Sequence, residues 1–88
     1  MKILYNKKSI VVTITPGSYI LIESNGKEIV FCPLDEFDFY WVRQEKDLYR
    51  FKKDGLHPFD YRRVAGTDFF LPIEAIDEIK NYRNKLQP

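Results

Sequence analysis

The stretch Tyr19-Ile20-Leu21-Ile22-Glu23-Ser24-Asn25-Gly26-Lys27-Glu28-Ile29-Val30-Phe31-Cys32 decides the fold class. Its two ends are rich in β-branched and aromatic residues, which fit a pleated surface better than a helix. At its centre, Asn25-Gly26 supplies the pair that most readily takes φ > 0 twice in succession, as a two-residue type I′ hairpin requires. The expected register pairs Ser24 with Lys27, Ile22 with Ile29 and Ile20 with Phe31. It also sets Glu23 against Glu28, a mildly unfavourable pair that reads as two splayed, solvated carboxylates. Ile20, Ile22, Ile29 and Phe31 then share one face, and Tyr19, Leu21, Val30 and Cys32 the other. A sheet in a thin domain normally buries one face and wets the other. Two apolar faces call for a closed small barrel, a helix laid across one side, or a dimer interface.

Working outward, Ile10-Val11-Val12-Thr13-Ile14-Thr15 reads as a strand, and Pro16-Gly17 as a type II turn leading into Tyr19. On the other side Pro33 ends the hairpin and Asp35-Glu36 forms a loop. Phe37 to Val42 alternates as a strand, Gln44-Glu45-Lys46-Asp47 makes a polar turn, and Leu48 to Lys52 is the return strand of a second hairpin. Asp54-Gly55 is a further hairpin-type pair. Pro58 limits the next segment to an edge or irregular piece. Tyr61-Arg62-Arg63-Val64 is a short strand closed by Ala65-Gly66-Thr67.

The C-terminal part is helical. Pro72 suits a first helical position. Ile73, Ile76, Ile79, Tyr82 and Leu86 recur every three or four residues as one apolar stripe. Glu74, Asp77 and Glu78 sit early and Lys80, Arg83 and Lys85 late, which complements the helix dipole. A lone helix of this length is marginal, so it must dock on the sheet. The expected fold is α+β, mainly β. It is a small antiparallel sheet of five to six strands, strongly bent or barrel-like, with one C-terminal amphipathic helix. Residues 1–88 form a single domain, β-rich over 1–71 and helical over 72–86.

At 88 residues the chain has room for one domain. Its 44% hydrophobic and 16% aromatic content suffices for a folded core and excludes the disordered class. A net charge of +1 fits neither a nucleic-acid coat nor an acidic mimic. Locally the balance shifts: residues 40–63 carry seven Lys and Arg against four acids, while 23–39 carry five acids against Lys27. Cys32 is the only cysteine, so no internal disulfide and no cysteine-based zinc site can form. A small domain without staples points to a reducing, cytoplasmic setting. Lys2 is followed by only three apolar residues before Asn6-Lys7-Lys8, so no secretory signal is expected, and no run reaches membrane-helix length.

Catalysis needs a nucleophile, base or metal held in one place. His57 is the only histidine and reads as a solvated turn residue. Cys32 reads as a buried structural thiol, because reactive thiols sit in electropositive, partly exposed sites. Asp35-Glu36-Phe37-Asp38 lacks the spacing and the glycine of a calcium loop. The four glycines all fall at turns, and none builds a phosphate loop. No enzyme activity, metal or cofactor is expected.

What remains is surface. Tyr, Trp and Arg are the types enriched at interface hot spots, and Tyr40, Trp41, Arg43, Tyr49 and Arg50 cluster within a short span. The expected contact residues are Tyr40, Arg43, Tyr49, Arg50, Arg62 and Arg63, facing a protein partner or a second copy of this chain. The competing reading of those aromatics is that they fill a thin core with the arginines laid over them. The short, Lys/Ile/Tyr/Phe-rich, catalytically bare chain resembles small phage or mobile-element inhibitors. That resemblance implies occlusion of a surface on a larger host machine. The alternative is a nucleic-acid platform, with bases stacked on strand-borne aromatics of Tyr49–Lys53 and Tyr61–Arg63 and phosphates held by Arg and Lys.

Overall fold

A computed structural model describes residues 2–5 and 8–86. The chain is α+β and mainly sheet. Among the described residues, seven strands run β1 (Lys2–Tyr5), β2 (Lys8–Ile14), β3 (Tyr19–Ser24), β4 (Lys27–Pro33), β5 (Phe39–Trp41), β6 (Tyr61–Val64) and β7 (Phe70–Pro72). Two helices, α1 (Glu45–Lys53) and α2 (Ile73–Leu86), complete the fold. The strands make two separate antiparallel sheets, β1-β2-β3-β4 and β5-β6-β7, rather than the one bent or barrel-like sheet of five to six strands read from the sequence. The residues divide into two compact units. The first holds the described residues up to Phe37 together with those from Glu78 onward, and the second holds Asp38–Asp77, so α2 begins in the second and continues in the first.

In the first unit the Asn25-Gly26 hairpin forms as its sequence dictates. Asn25 and Gly26 take φ of 52° and 81°, and Ser24 faces Lys27 while Glu23 faces Glu28. Beyond that point a bulge intervenes at Ile22/Glu23: Ile22 pairs with Val30 and Ile20 with Cys32. Ile29 is the extra residue, and one extra residue moves the rest of a strand to the opposite face. The expected pairs Ile22–Ile29 and Ile20–Phe31 are therefore replaced. Ile20 and Ile22 are buried, with Val30 and Cys32 across from them half-buried, while Phe31 is exposed and stacks on Tyr19 at 5.1 Å. Neither hairpin face is left wholly apolar and open, because the Ile20/Ile22 side belongs to a core that includes Ile10, Val12, Leu34, Phe37 and Ile79. Arg83 on α2 donates to the Phe37 carbonyl.

The turn before β3 also differs from expectation. Its left-handed residue is Ser18 (φ 63°), not Gly17. The Ser18 amide donates to the Thr15 carbonyl at 3.0 Å and the Tyr19 amide to Thr15 Oγ1 at 3.1 Å, so a threonine hydroxyl supports the turn.

In the second unit the main correction is α1, where Leu48 to Lys52 was expected as a strand. Its ends carry helix chemistry: Glu45 and Asp47 in the first turn, Arg50, Lys52 and Lys53 in the last. Gly55, at φ 72°, donates to the Lys52 carbonyl, and Leu56 donates to that of Phe51. This bonding pattern is a Schellman cap, so Asp54-Gly55 ends a helix instead of turning a hairpin. Fully buried Phe51 points into the unit, with its ring edge-on to Tyr61 at 5.2 Å and to Phe70 at 4.8 Å. β6 spans the expected Tyr61–Val64, and α2 the expected 73–86. Pro72, however, closes β7 opposite Tyr61 and leaves Ile73 to start the helix. A strand-edge proline loses no helix hydrogen bond by stopping there.

Truncating Phe51 leaves a void between α1 and the paired strands β6 and β7. Phe51→Ala is expected to cost about 3–5 kcal/mol, most of the stability of so small a protein, and to show as a loss of the cooperative urea transition. Glu28→Lys replaces a like-charge pair by an opposite-charge one. It is expected to raise stability by roughly 0.2–1 kcal/mol, with the gain shrinking as salt is added during urea unfolding.

Candidate functional site

The site is built on the antiparallel pair β5–β6, where Tyr40 faces Arg63 and Trp41 faces Arg62. Directly opposite residues share a face and neighbours alternate. Each face of the sheet therefore carries one aromatic–arginine couple.

On one face the Arg62 guanidinium lies 3.8 Å from the Trp41 ring centroid. Its Nη1 donates to the carbonyls of Phe59 (3.1 Å) and Tyr61 (2.8 Å), which fixes the group in place. Phe59 meets Trp41 edge-on at 5.9 Å, and the His57 ring lies 5.2 Å from Phe59. His57 Nδ1 accepts from the Phe59 amide at 3.3 Å and caps the short 3-10 turn Pro58–Asp60. His57, Phe59, Trp41 and Arg62 thus form one row. Phe59 is 67% exposed and Trp41 48%. A cation–π couple at an exposed site contributes about 0.5–1 kcal/mol. Here it also holds a flexible side chain in a single pose before any partner arrives.

On the other face Arg63 lies 5.4 Å from the Tyr40 ring and donates through Nη1 to the Thr67 carbonyl at 3.3 Å. Tyr40 is half-exposed. A shallow cleft of about 370 Å³ is lined by Phe39, Tyr40, Trp41, Arg43, Gln44 and Arg63. Three consecutive residues of β5 line it, so it follows the strand.

Of the six expected contact residues, Tyr40, Arg43 and Arg63 share this cleft, and Arg62 sits with Trp41. Tyr49 and Arg50 are carried by α1 and not by a strand next to Tyr40. Tyr49 is 72% exposed. Arg50 has its guanidinium 5.3 Å from the Phe70 ring and 3.8 Å from buried Asp47, so it lies over the unit's own packing. Sequence reasoning missed Phe59. Its signal was a large apolar residue directly after Pro58 in a turn whose backbone needs none.

Cys32 is half-buried rather than fully buried, and His57 is exposed. Among the described residues, no three His, Cys, Asp or Glu side chains are placed to hold a metal ion. No described helix is long and apolar enough to cross a membrane. No protein-family model matches the chain, and no curated protein or solved structure shows significant similarity to it.

At the start of β6, burial raises the pKa of the Tyr61 phenol above the ordinary tyrosine value, and the nearby Asp60 and Glu74 charges add to the effect. A raised acid pKa means the folded state keeps its proton longer than the unfolded chain. The stability held below about pH 10 is therefore lost as pH climbs through the folded-state value. Urea unfolding of the wild type and Tyr61→Phe across alkaline pH checks this: the wild type should lose more stability above about pH 10 than the variant does.

Proposed function

We propose that this chain is a non-enzymatic binding protein that acts through a protein–protein contact centred on Trp41, Arg62 and Phe59. The observation that carries the reading is the Arg62–Trp41 stack, tied down by two backbone carbonyls and flanked by exposed Phe59. Trp and Arg dominate interface hot spots because they bury much area and lose little side-chain freedom when already ordered. In its most specific form, the protein is an inhibitor of the phage or mobile-element type, a small cytoplasmic domain without a cofactor that occludes part of a larger host machine. Tyr40, Arg43 and Arg63 extend the contact around β5.

Nucleic-acid binding is the second reading, and it has less support. The Tyr49–Lys53 segment is helical, the Tyr61 ring packs edge-on against Phe51, and one face of Trp41 is covered by Arg62. Stacking of bases needs ring faces open to solvent.

The tagged protein used as bait in bacterial lysate, with and without nuclease and at low and high salt, tests the reading. One protein retained through nuclease and high salt is expected. Trp41→Ala should weaken its retention by about 2 kcal/mol, roughly thirtyfold in Kd, while the melting temperature falls only by the few degrees that loss of an exposed cation–π couple costs. Nucleic acid recovered only at low salt, with every protein lost on nuclease treatment, would overturn it.

A further inference from the structure

The cleft along β5 differs in charge from the unit that contains it. Residues 38–77 carry seven Lys and Arg against eight Asp and Glu, yet the cleft is lined by two arginines and no acid. Among the described residues, neither Arg43 nor Arg63 has a carboxylate within ion-pairing distance. Arg63 spends one Nη1 contact on the Thr67 carbonyl and is oriented by the Tyr40 ring, which leaves donors for a second partner. Gln44, the N-cap of α1, makes no capping bond with its side chain. Phe39, Tyr40 and Trp41 supply the apolar wall.

Building on the protein-contact reading above, we propose that this cleft takes an acidic, apolar-flanked segment of the partner, with its carboxylates held between Arg43 and Arg63. Arginine's planar fork matches a carboxylate in two parallel hydrogen bonds. The aromatic wall covers the neighbouring apolar side chain and lowers the local dielectric, which strengthens the charge contact. A volume of about 370 Å³ is within the usual range of ligand clefts. Charge density separates this ligand from a phosphate backbone. A polyanion running past the cleft would also meet Asp38 and Glu45, which adjoin β5 and open α1, whereas a single carboxylate pair would not.

The test is an NMR titration of the intact ¹⁵N-labelled protein with three peptides of equal length that alternate Glu, Gln or Lys with Leu, and with oligo-dT. The Glu peptide should shift the Nε–H resonances of Arg43 and Arg63 and the Trp41 indole. Arg43→Gln and Arg63→Gln should each weaken it about tenfold. The Gln and Lys peptides should leave these resonances in place. Arg43 is exposed and its replacement decides the matter if Arg63→Gln lowers the melting temperature. Equal binding of the Gln peptide, a stronger response to oligo-dT, or no shift with the Glu peptide would overturn the proposal. The lysate bait separates the two ideas. A protein held by the wild type and by the Arg43→Gln/Arg63→Gln double variant, but lost with Trp41→Ala, removes the cleft and keeps the contact. Capture indifferent to Trp41→Ala removes the contact reading itself.

Discussion

The Phe51 ring stands edge-on to Tyr61 of β6 and to Phe70 of β7, and the second unit is organised around that contact. One phenyl group so placed joins a helix to two strands. The strands alone are three or four residues long, too short to hold a sheet together without an apolar cover. Because Phe51 and Asp47 are the buried residues of α1, one turn apart, the helix presents a narrow inner face and leaves Leu48, Tyr49, Lys52 and Lys53 to solvent. Through Tyr61 that packing anchors β6, the strand that carries Arg62 and Arg63 of the candidate site.

The candidate site shows how a two-residue strand repeat distributes side chains. Arg62 and Arg63 are neighbours in the chain, yet the pleat sends them to opposite faces, each onto an aromatic partner in β5. One couple is closed by Phe59 and two backbone carbonyls. The other opens onto a cleft with Arg43. An aromatic–arginine row and a cationic groove thus border the same short strand.

Two features of the sequence had more than one structural meaning, and local patterns alone could not separate them. Tyr49-Arg50-Phe51-Lys52 alternates apolar and charged residues as a half-buried strand does, yet it is helical. The helix signal lay in the order of charges, Glu45 and Asp47 before Arg50, Lys52 and Lys53, and in Gly55 just beyond. Asp-Gly serves a hairpin turn and a helix cap equally well, since both place the glycine at positive φ. Ile29 posed the second ambiguity. Glu28, Ile29 and Val30 could all have continued a regular ladder. A regular register, however, would have put Phe31 beside Ile20 in the core and turned Val30 and Cys32 outward. The bulge places the smaller Val30 and Cys32 there and leaves the larger ring stacked on Tyr19 outside.

By itself the sequence determined whatever depends on a few neighbouring residues. This includes the Asn25-Gly26 turn, whose two positive φ values few other pairs accept, the β-branched strands beside it, strand Tyr61–Val64, and the 73–86 helix with its stripe and charge order. It also singled out Tyr40, Arg43 and Arg63, which the fold brings to one cleft. Tertiary structure alone decided that the strands form two sheets instead of one, that residues 45–53 coil, that β4 slips by one, and that Phe59 joins Trp41. Each of those choices turns on which apolar groups leave water together. That free energy belongs to the packed set of side chains, and no single segment of the chain carries it.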